Sequence, residues 1–208
     1  MLELHEKAVQ ANQGIPLAHV VLVGDLGNKG PHSAKVVRHC RTTDRWWAVR
    51  GNHDNAALLA ACGDPKRCDK PKYAWVHQLD KDDLQWMLEL PYTLLIPKGL
   101  QGLTRDVLVV HAGLEPDVPL NQQTSETMTT MRNNKGKPWA STHAGPSRVV
   151  FGHDAKRGLQ QYTHSTGLDT GCVYGKQLTG LLLPQDELIS VPAKAEYASI
   201  VNNTDTVQ

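Results

Sequence analysis

One pattern occurs four times in this sequence and limits the folds open to it. A short apolar run, rich in β-branched residues, stops at a turn residue followed by a side chain able to ligate a metal. His19 to Val23 runs into Gly24-Asp25, and Trp46 to Val49 runs into Arg50-Gly51-Asn52-His53-Asp54. Val107 to Val110 runs into His111-Ala112-Gly113, and Arg148 to Phe151 runs into Gly152-His153-Asp154. Continuous apolar runs of this length predict strands buried on both faces of a sheet.

Helices are expected between these strands. Pro31 suits a first helical position, which predicts a helix from Pro31 to about His39. A second should follow Asn55, along Ala56 to Cys62. A third runs from Lys81 to Leu90, with Asp80 as its N-cap and Pro91 as its stop. Leu2 to Gln10 has the spacing of an amphipathic helix. Near the end, Leu178–Leu183 and Glu187–Val191 flank Pro184-Gln185-Asp186 and predict a hairpin. Strands alternating with helices define an α/β domain, and in such sheets the loops after the strand carboxyl ends converge on the ligand-binding edge. All the candidate ligands fall at that edge. Asn121 to Ser147, rich in Asn, Thr, Lys and Gly, is expected as a long connection. The domain is expected to occupy residues 1–195, with 196–208 a flexible tail.

Charge and cysteine content narrow the function classes. The 208 residues carry 22 basic and 21 acidic groups, a formal charge of +1, without a single-sign block. Nothing here supports a nucleic-acid-binding surface. No apolar run approaches the ~20 residues needed to cross a bilayer, and Met1 to Gln10 lacks the basic and apolar regions of a signal peptide. The 4 cysteines, Cys40, Cys62, Cys68 and Cys172, form no CxxC pair. The spacing of Cys62 and Cys68 permits a loop disulfide, but free thiols in a reducing compartment are the expectation, which places the protein in the cytoplasm.

Each ligand candidate has a plain structural explanation when taken alone. Gly-Asp after a strand is commonly a turn, and a histidine there commonly serves a local hydrogen bond. Their joint occurrence at four strand ends points instead to a metal site. A carboxylate, an amide oxygen and two imidazoles suit Mn, Fe or Zn, with no soft thiolate among them. Asp25 could bridge two ions, the arrangement that clamps both oxygens of a phosphoryl displacement and lowers the pKa of bound water to about 7. A metal-activated hydroxide would then be the nucleophile. His53, next to Asn52, is placed to donate a proton to the leaving oxygen. Lys29 and Arg50 lie at the same loop edge and could hold phosphate oxygens.

The same residues carry a family resemblance. GDLGNKGP (Gly24 to Pro31), RGNHD (Arg50 to Asp54), VVHAGLEP (Val109 to Pro116) and VVFGHDAKRGLQ (Val149 to Gln160) resemble successive motifs of the calcineurin-like metallophosphoesterases. LDTGCVYGKQLTGL (Leu168 to Leu181) is similar to the closing motif of the ApaH-like branch, relatives of diadenosine tetraphosphatase and of Ser/Thr protein phosphatases. The resemblance implies a sandwich of two mixed β-sheets flanked by helices. It implies a two-metal site in which Asp25 bridges, Asn52, His111 and His153 complete the second metal, and His53 is the general acid. Lys29 stands where many relatives have a phosphate-binding arginine. Asn28 stands where protein phosphatases have an aspartate that orients the acid histidine.

The family's first motif, a strand ending in GDxHG, would supply an Asp and a His to the first metal. Before Asp25 this sequence has His5, Glu3 and Glu6 in a helix, and a helical His5 is not expected to replace a ligand from a strand end. The expectation is an N-terminally incomplete domain lacking its first strand and holding one ion. It is either part of a longer gene product or a true short form. Implied substrates are phosphomonoesters or phosphoanhydrides: a phosphorylated small molecule such as a dinucleoside polyphosphate or mRNA cap, polyphosphate, or a phosphoprotein. The alternative is a catalytically impaired form serving as a one-metal or scaffold module.

Overall fold

Residues 1–199 are described by a computed structural model. In chain order the elements are α1 (Leu2–Ala11), β1 (Val20–Leu22), α2 (Ser33–Thr42), β2 (Trp46–Ala48), α3 (Asn52–Ala61), α4 (Lys81–Glu89), β3 (Thr93–Ile96), β4 (Val107–Val110), α5 (Ser125–Thr130), β5 (Asn133–Asn134), β6 (Lys137–Pro138), α6 (Trp139–Thr142), β7 (Arg148–Phe151), β8 (Gln160–Gln161), β9 (Ser165–Gly167), β10 (Gln177–Leu182) and β11 (Glu187–Pro192). The mixed α/β class matches the expectation.

A five-stranded mixed sheet runs β3-β4-β7-β9-β8, with β4, β7 and β9 parallel and the outer strands antiparallel. All of β4 and Val149 to Phe151 of β7 are buried, as runs covered on both faces should be. The other two apolar runs differ. β1 and β2 pair in parallel from Val20–Trp46 to Leu22–Ala48, and among the described residues no further strand joins them. β1 is half-buried throughout and Trp47 is 49% exposed. Burial on both faces is therefore corrected for this pair, because an apolar run specifies a strand but not how many neighbours cover it. A second small sheet is the antiparallel hairpin β10–β11, spanning the turn expected at Pro184-Gln185-Asp186. Helix α1 lies against both β1–β2 and β10–β11. The His5 ring sits 5.4 Å from that of Trp46, Lys7 Nζ donates to the Ser190 carbonyl at 2.8 Å, and Leu4 packs on Gly180.

Two helix starts move relative to the sequence reading. α2 begins at Ser33, past Pro31. α3 begins at Asn52 itself, earlier than expected, because Asp54 turns back to accept the Gly51 N–H at 2.8 Å and closes the first turn. α4 is as expected, with the Asp80 carboxylate accepting the Asp83 N–H at 2.7 Å. The segment 121–147, expected as a connection, contributes to the core. Its Met128, Trp139 and Ala140 pack against Leu108, Val110, Val149 and Phe151. Few apolar residues among many polar ones gave that segment no periodic signal. A second cluster, with Val37, Ala57, Leu58, Tyr73, Val76 and Met87, joins the helices beside β1 and β2. Of the expected tail, residues 200–208 lie outside the described residues, whereas Tyr197 and Ala198 donate backbone hydrogen bonds to Val173.

Candidate active site

β1, β2, β4 and β7 all deliver their carboxyl ends to one place, where the larger sheet meets β1–β2. The approach is close enough to require glycines. A Cβ at Gly24, whose φ is +87°, would meet His111 Nδ1 at 2.7 Å, and one at Gly152 would meet Val23 Cγ2 at 2.9 Å. The Gly152 N–H donates to the His111 carbonyl at 2.8 Å, joining the two turns of the larger sheet. Asp25 and His153 adopt positive φ, 56° and 66°, a conformation costing of order 1–3 kcal/mol that surrounding structure must hold in place.

Four donor atoms converge there. His111 Nε2 lies 3.3 Å from Asp25 Oδ1 and 3.2 Å from Asn52 Oδ1. Asn52 Oδ1 is also 3.1 Å from His153 Nδ1. The ligand atoms of Asp25, His111 and His153 all lie within 4.8 Å of one another, the one such His/Cys/Asp/Glu group among the described residues. Backbone carbonyls fix both imidazoles. His111 Nδ1 donates to the Val23 carbonyl at 2.7 Å and His153 Nε2 to that of Thr130 at 3.1 Å. Each ring therefore presents its other nitrogen inward, as a carbonyl hydrogen bond on the outer nitrogen does for metal-ligating histidines.

The electrostatics suit a cation. Burial, then the neighbouring His111 and Arg132, push the His153 basicity down to about 3, so its inward nitrogen carries a lone pair. That lone pair faces the Asn52 amide oxygen, also an acceptor, at a distance that repels unless a positive charge lies between them. Burial raises the Asp25 pKa, but His111 and His53 outweigh it and hold the carboxylate ionised. Burial likewise opposes charge on His111, yet Asp25 draws the ring toward the protonated form, another sign that this carboxylate seeks a positive partner. Donors about 2.1 Å from an ion stand roughly 3.0–3.4 Å apart, which is the spacing seen. The residues present therefore fit a divalent ion.

His53 stands beside this group. Its backbone N–H donates to Asp25 Oδ1 at 2.9 Å, and its Nε2 is 3.9 Å from Asp25 Oδ2. The Asn28 amide donates to its Nδ1 at 2.9 Å, so the proton of the neutral ring sits on Nε2. Burial lowers its pKa, and Lys29 and His111 add to that against Asp25. Lys29 Nζ donates to the Tyr174 hydroxyl at 2.7 Å. Arg50 points elsewhere: it donates to the Leu88 carbonyl and to the Tyr92 hydroxyl, with its guanidinium 5.2 Å from the Tyr92 ring centroid.

The structure adds three residues that the sequence did not single out. Asp54, fully buried, accepts the backbone N–H groups of Asp25, Leu26 and Gly51 at 2.8–2.9 Å, tying the first two loops together. Burial and repulsion from Asp25 raise its pKa to about 6. Arg132 donates to the His153 carbonyl at 3.4 Å and reaches Asp154 at 3.7 Å, which puts a guanidinium beside the donor group. Tyr174 meets Lys29. Arg132 comes from a polar stretch far from the strand-end pattern with nothing local to mark it, whereas Tyr174 lies inside the LDTGCVYGKQLTGL stretch, whose resemblance gave the tyrosine no role.

The fold is that of the calcineurin-like phosphoesterases. The model of that family matches residues 2–177, and the chain belongs to it as a metal-dependent phosphoester or phosphoanhydride hydrolase. More particularly, it is similar to the asymmetrical bis(5'-nucleosyl)-tetraphosphatase PrpE of Bacillus subtilis strain 168, 29% identical over 198 residues covering 86% of this chain and 81% of that protein. The protein of the same name from Bacillus cereus strain AH187 is 30% identical over 202 residues, covering 86% and 80%. A crystal structure assigned as a diadenosine tetraphosphatase superposes with a TM-score of 0.77 and 36% identity, covering 92% of this chain and 87% of that one. The scaffold alternative is not favoured.

Proposed function

We propose that this chain hydrolyses a phosphoanhydride bond of a dinucleoside polyphosphate, using a divalent ion held by Asp25, Asn52, His111 and His153. The observation that carries this reading is the convergence of Asn52 Oδ1, His111 Nε2, His153 Nδ1 and Asp25 Oδ1 at 3.1–3.3 Å between adjacent members. An ion held there, Mn, Fe or Zn, would neutralise phosphoryl charge and acidify water. The described residues supply one such donor group, which supports one ion per chain, although the complete family site holds two.

In this reading Lys29 and Arg132 lie beside the donor group and bind phosphate oxygens. Arg50 joins them only by leaving Leu88 and Tyr92. His53, neutral in this reading, donates an Nε2–H hydrogen bond to the leaving oxygen and keeps its proton. The amide of Asn28, unlike a carboxylate, donates to His53 and does not stabilise an imidazolium. A neutral ring of this kind serves a phosphate leaving group, which departs as an anion, better than an alkoxide or a seryl oxygen. That difference and the names of the relatives favour a dinucleoside tetraphosphate over polyphosphate or a phosphoprotein. A cytoplasmic setting is supported by four free thiols, Cys40, Cys62, Cys68 and Cys172, and no described helix is long and apolar enough to cross a membrane.

The test is hydrolysis of diadenosine tetraphosphate with added Mn, compared with p-nitrophenyl phosphate and a phosphoserine peptide. The expected result is preference for the dinucleotide, with losses of about 10²-fold or more in His53→Ala and Asp25→Asn. An inactive parent, or equal rates in those variants, would sink the proposal.

A further inference from the structure

We propose that Tyr174 is a positioning residue for Lys29, holding the lysine ammonium at the phosphate subsite before substrate arrives. Resting on the phosphate role given to Lys29 above, this assigns a task to the loop between β9 and β10. Lys29 reaches the Tyr174 hydroxyl at 2.7 Å, and its Nζ also lies 4.9 Å from the centroid of that ring. Among the described residues, Tyr174 is the hydrogen-bond partner this ammonium has. One of its three N–H groups is thereby used and two are free for phosphate oxygens. The two residues are 145 positions apart in sequence, so the contact is made by the fold and by no local preference.

The two partners differ in rigidity. A lysine side chain is a compact charge on a four-carbon stem with many rotamers, and ordering it on binding weakens affinity. Tyr174, in contrast, sits in a tightly wound turn. Its N–H donates to the Gly171 carbonyl at 3.0 Å, the Gly175 N–H donates to that of Cys172 at 3.1 Å, and the Lys176 N–H returns to Gly171 at 3.3 Å. Gly171 and Gly175 supply the positive φ values, 73° and 79°, that this winding needs. Asp169 accepts the Gly171 N–H at 3.1 Å, and Tyr174 also bridges to Glu196. A half-buried phenol on so constrained a turn is a fixed point for a mobile cation, which removes part of the ordering cost from the binding step.

A double-mutant cycle of Lys29→Met and Tyr174→Phe tests this, because Tyr174→Phe keeps the ring and the turn and removes only the hydroxyl. Two readouts are taken with Mn present: KM and kcat for diadenosine tetraphosphate, and the Kd of inorganic phosphate by calorimetry. Tyr174→Phe should raise KM and the phosphate Kd about three- to tenfold with kcat within about twofold, and Lys29→Met should raise them about tenfold or more. The double variant should be no weaker than Lys29→Met alone. Unchanged affinity in Tyr174→Phe, or an undiminished effect of that substitution in the Lys29→Met background, overturns the positioning role. If Lys29→Met itself binds phosphate like the parent, the phosphate role of Lys29 is wrong and the positioning proposal falls with it. Phosphate affinity is read without turnover, so a slow parent enzyme does not blur these outcomes.

Discussion

A methyl group at Gly51 would stand 2.2 Å from Asp25 Oδ1 and 2.5 Å from the Asp25 backbone nitrogen. Few positions tie a residue identity so directly to the site, because that carboxylate oxygen also faces His111. Gly51→Ala should push the first two loops apart and displace Asp25. Mn affinity is expected to fall at least about tenfold, measured by isothermal titration, and parental affinity would show that the loops separate without moving Asp25. Asp54 acts in the opposite sense, drawing the same loops together through three backbone N–H groups. The RGNHD sequence announced this neighbourhood. It did not announce that Asp54 would serve another loop, because the N–H groups of Asp25 and Leu26 lie 29 and 28 residues away.

At the scale of elements, the join between α2 and α4 is concentrated in Asp83. Its carboxylate, fully buried, accepts from Arg38 Nη2 at 2.7 Å and Arg41 Nε at 2.8 Å, while also capping Asp80 at 3.3 Å. Burial alone would raise its pKa, but the hydrogen bonds from Arg41, the Asp80 backbone and Arg38 win and hold it below the ordinary value of 3.8. A depressed folded pKa contributes stability that is complete above 3.8 and is lost as pH falls through the folded value. Asp83→Asn is therefore expected to unfold about 2 kcal/mol more easily at pH 7. The gap between urea titrations of the two proteins should narrow as pH falls below 3.8. A gap that stays constant with pH would assign the loss to packing instead. The Asp80 cap was legible in the sequence because a cap is a local pattern. The Arg38 and Arg41 partners were not, since they come from another helix.

On the scale of the whole molecule, the proposed ligands come from both sides of the domain: Asp25 and Asn52 follow β1 and β2, while His111 and His153 follow β4 and β7. An ion held by all four would link the small parallel sheet to the larger one, so metal binding should stabilise the chain globally. At Mn about 100-fold above its Kd the gain is about 2.7 kcal/mol, which for a chain of this size raises Tm by roughly 5–11 °C. Scanning calorimetry with and without chelator checks this, and His111→Ala should abolish the increment. Elemental analysis of the 208-residue protein is expected to return one ion per chain, and two tightly bound ions would contradict the single donor group. The α/β class, the four strand ends and the candidates Asp25, Asn52, His53, His111 and His153 were legible in the sequence, because strand, turn and proposed ligand adjoin within a few residues and reflect local chemistry. Long-range packing set the half-burial of β1 and β2, the core role of Trp139, the turning of Arg50 toward Tyr92, and the meeting of Arg132 with His153 and of Tyr174 with Lys29. Those outcomes depend on which distant segments share one volume, and no short-range pattern of residues encodes that.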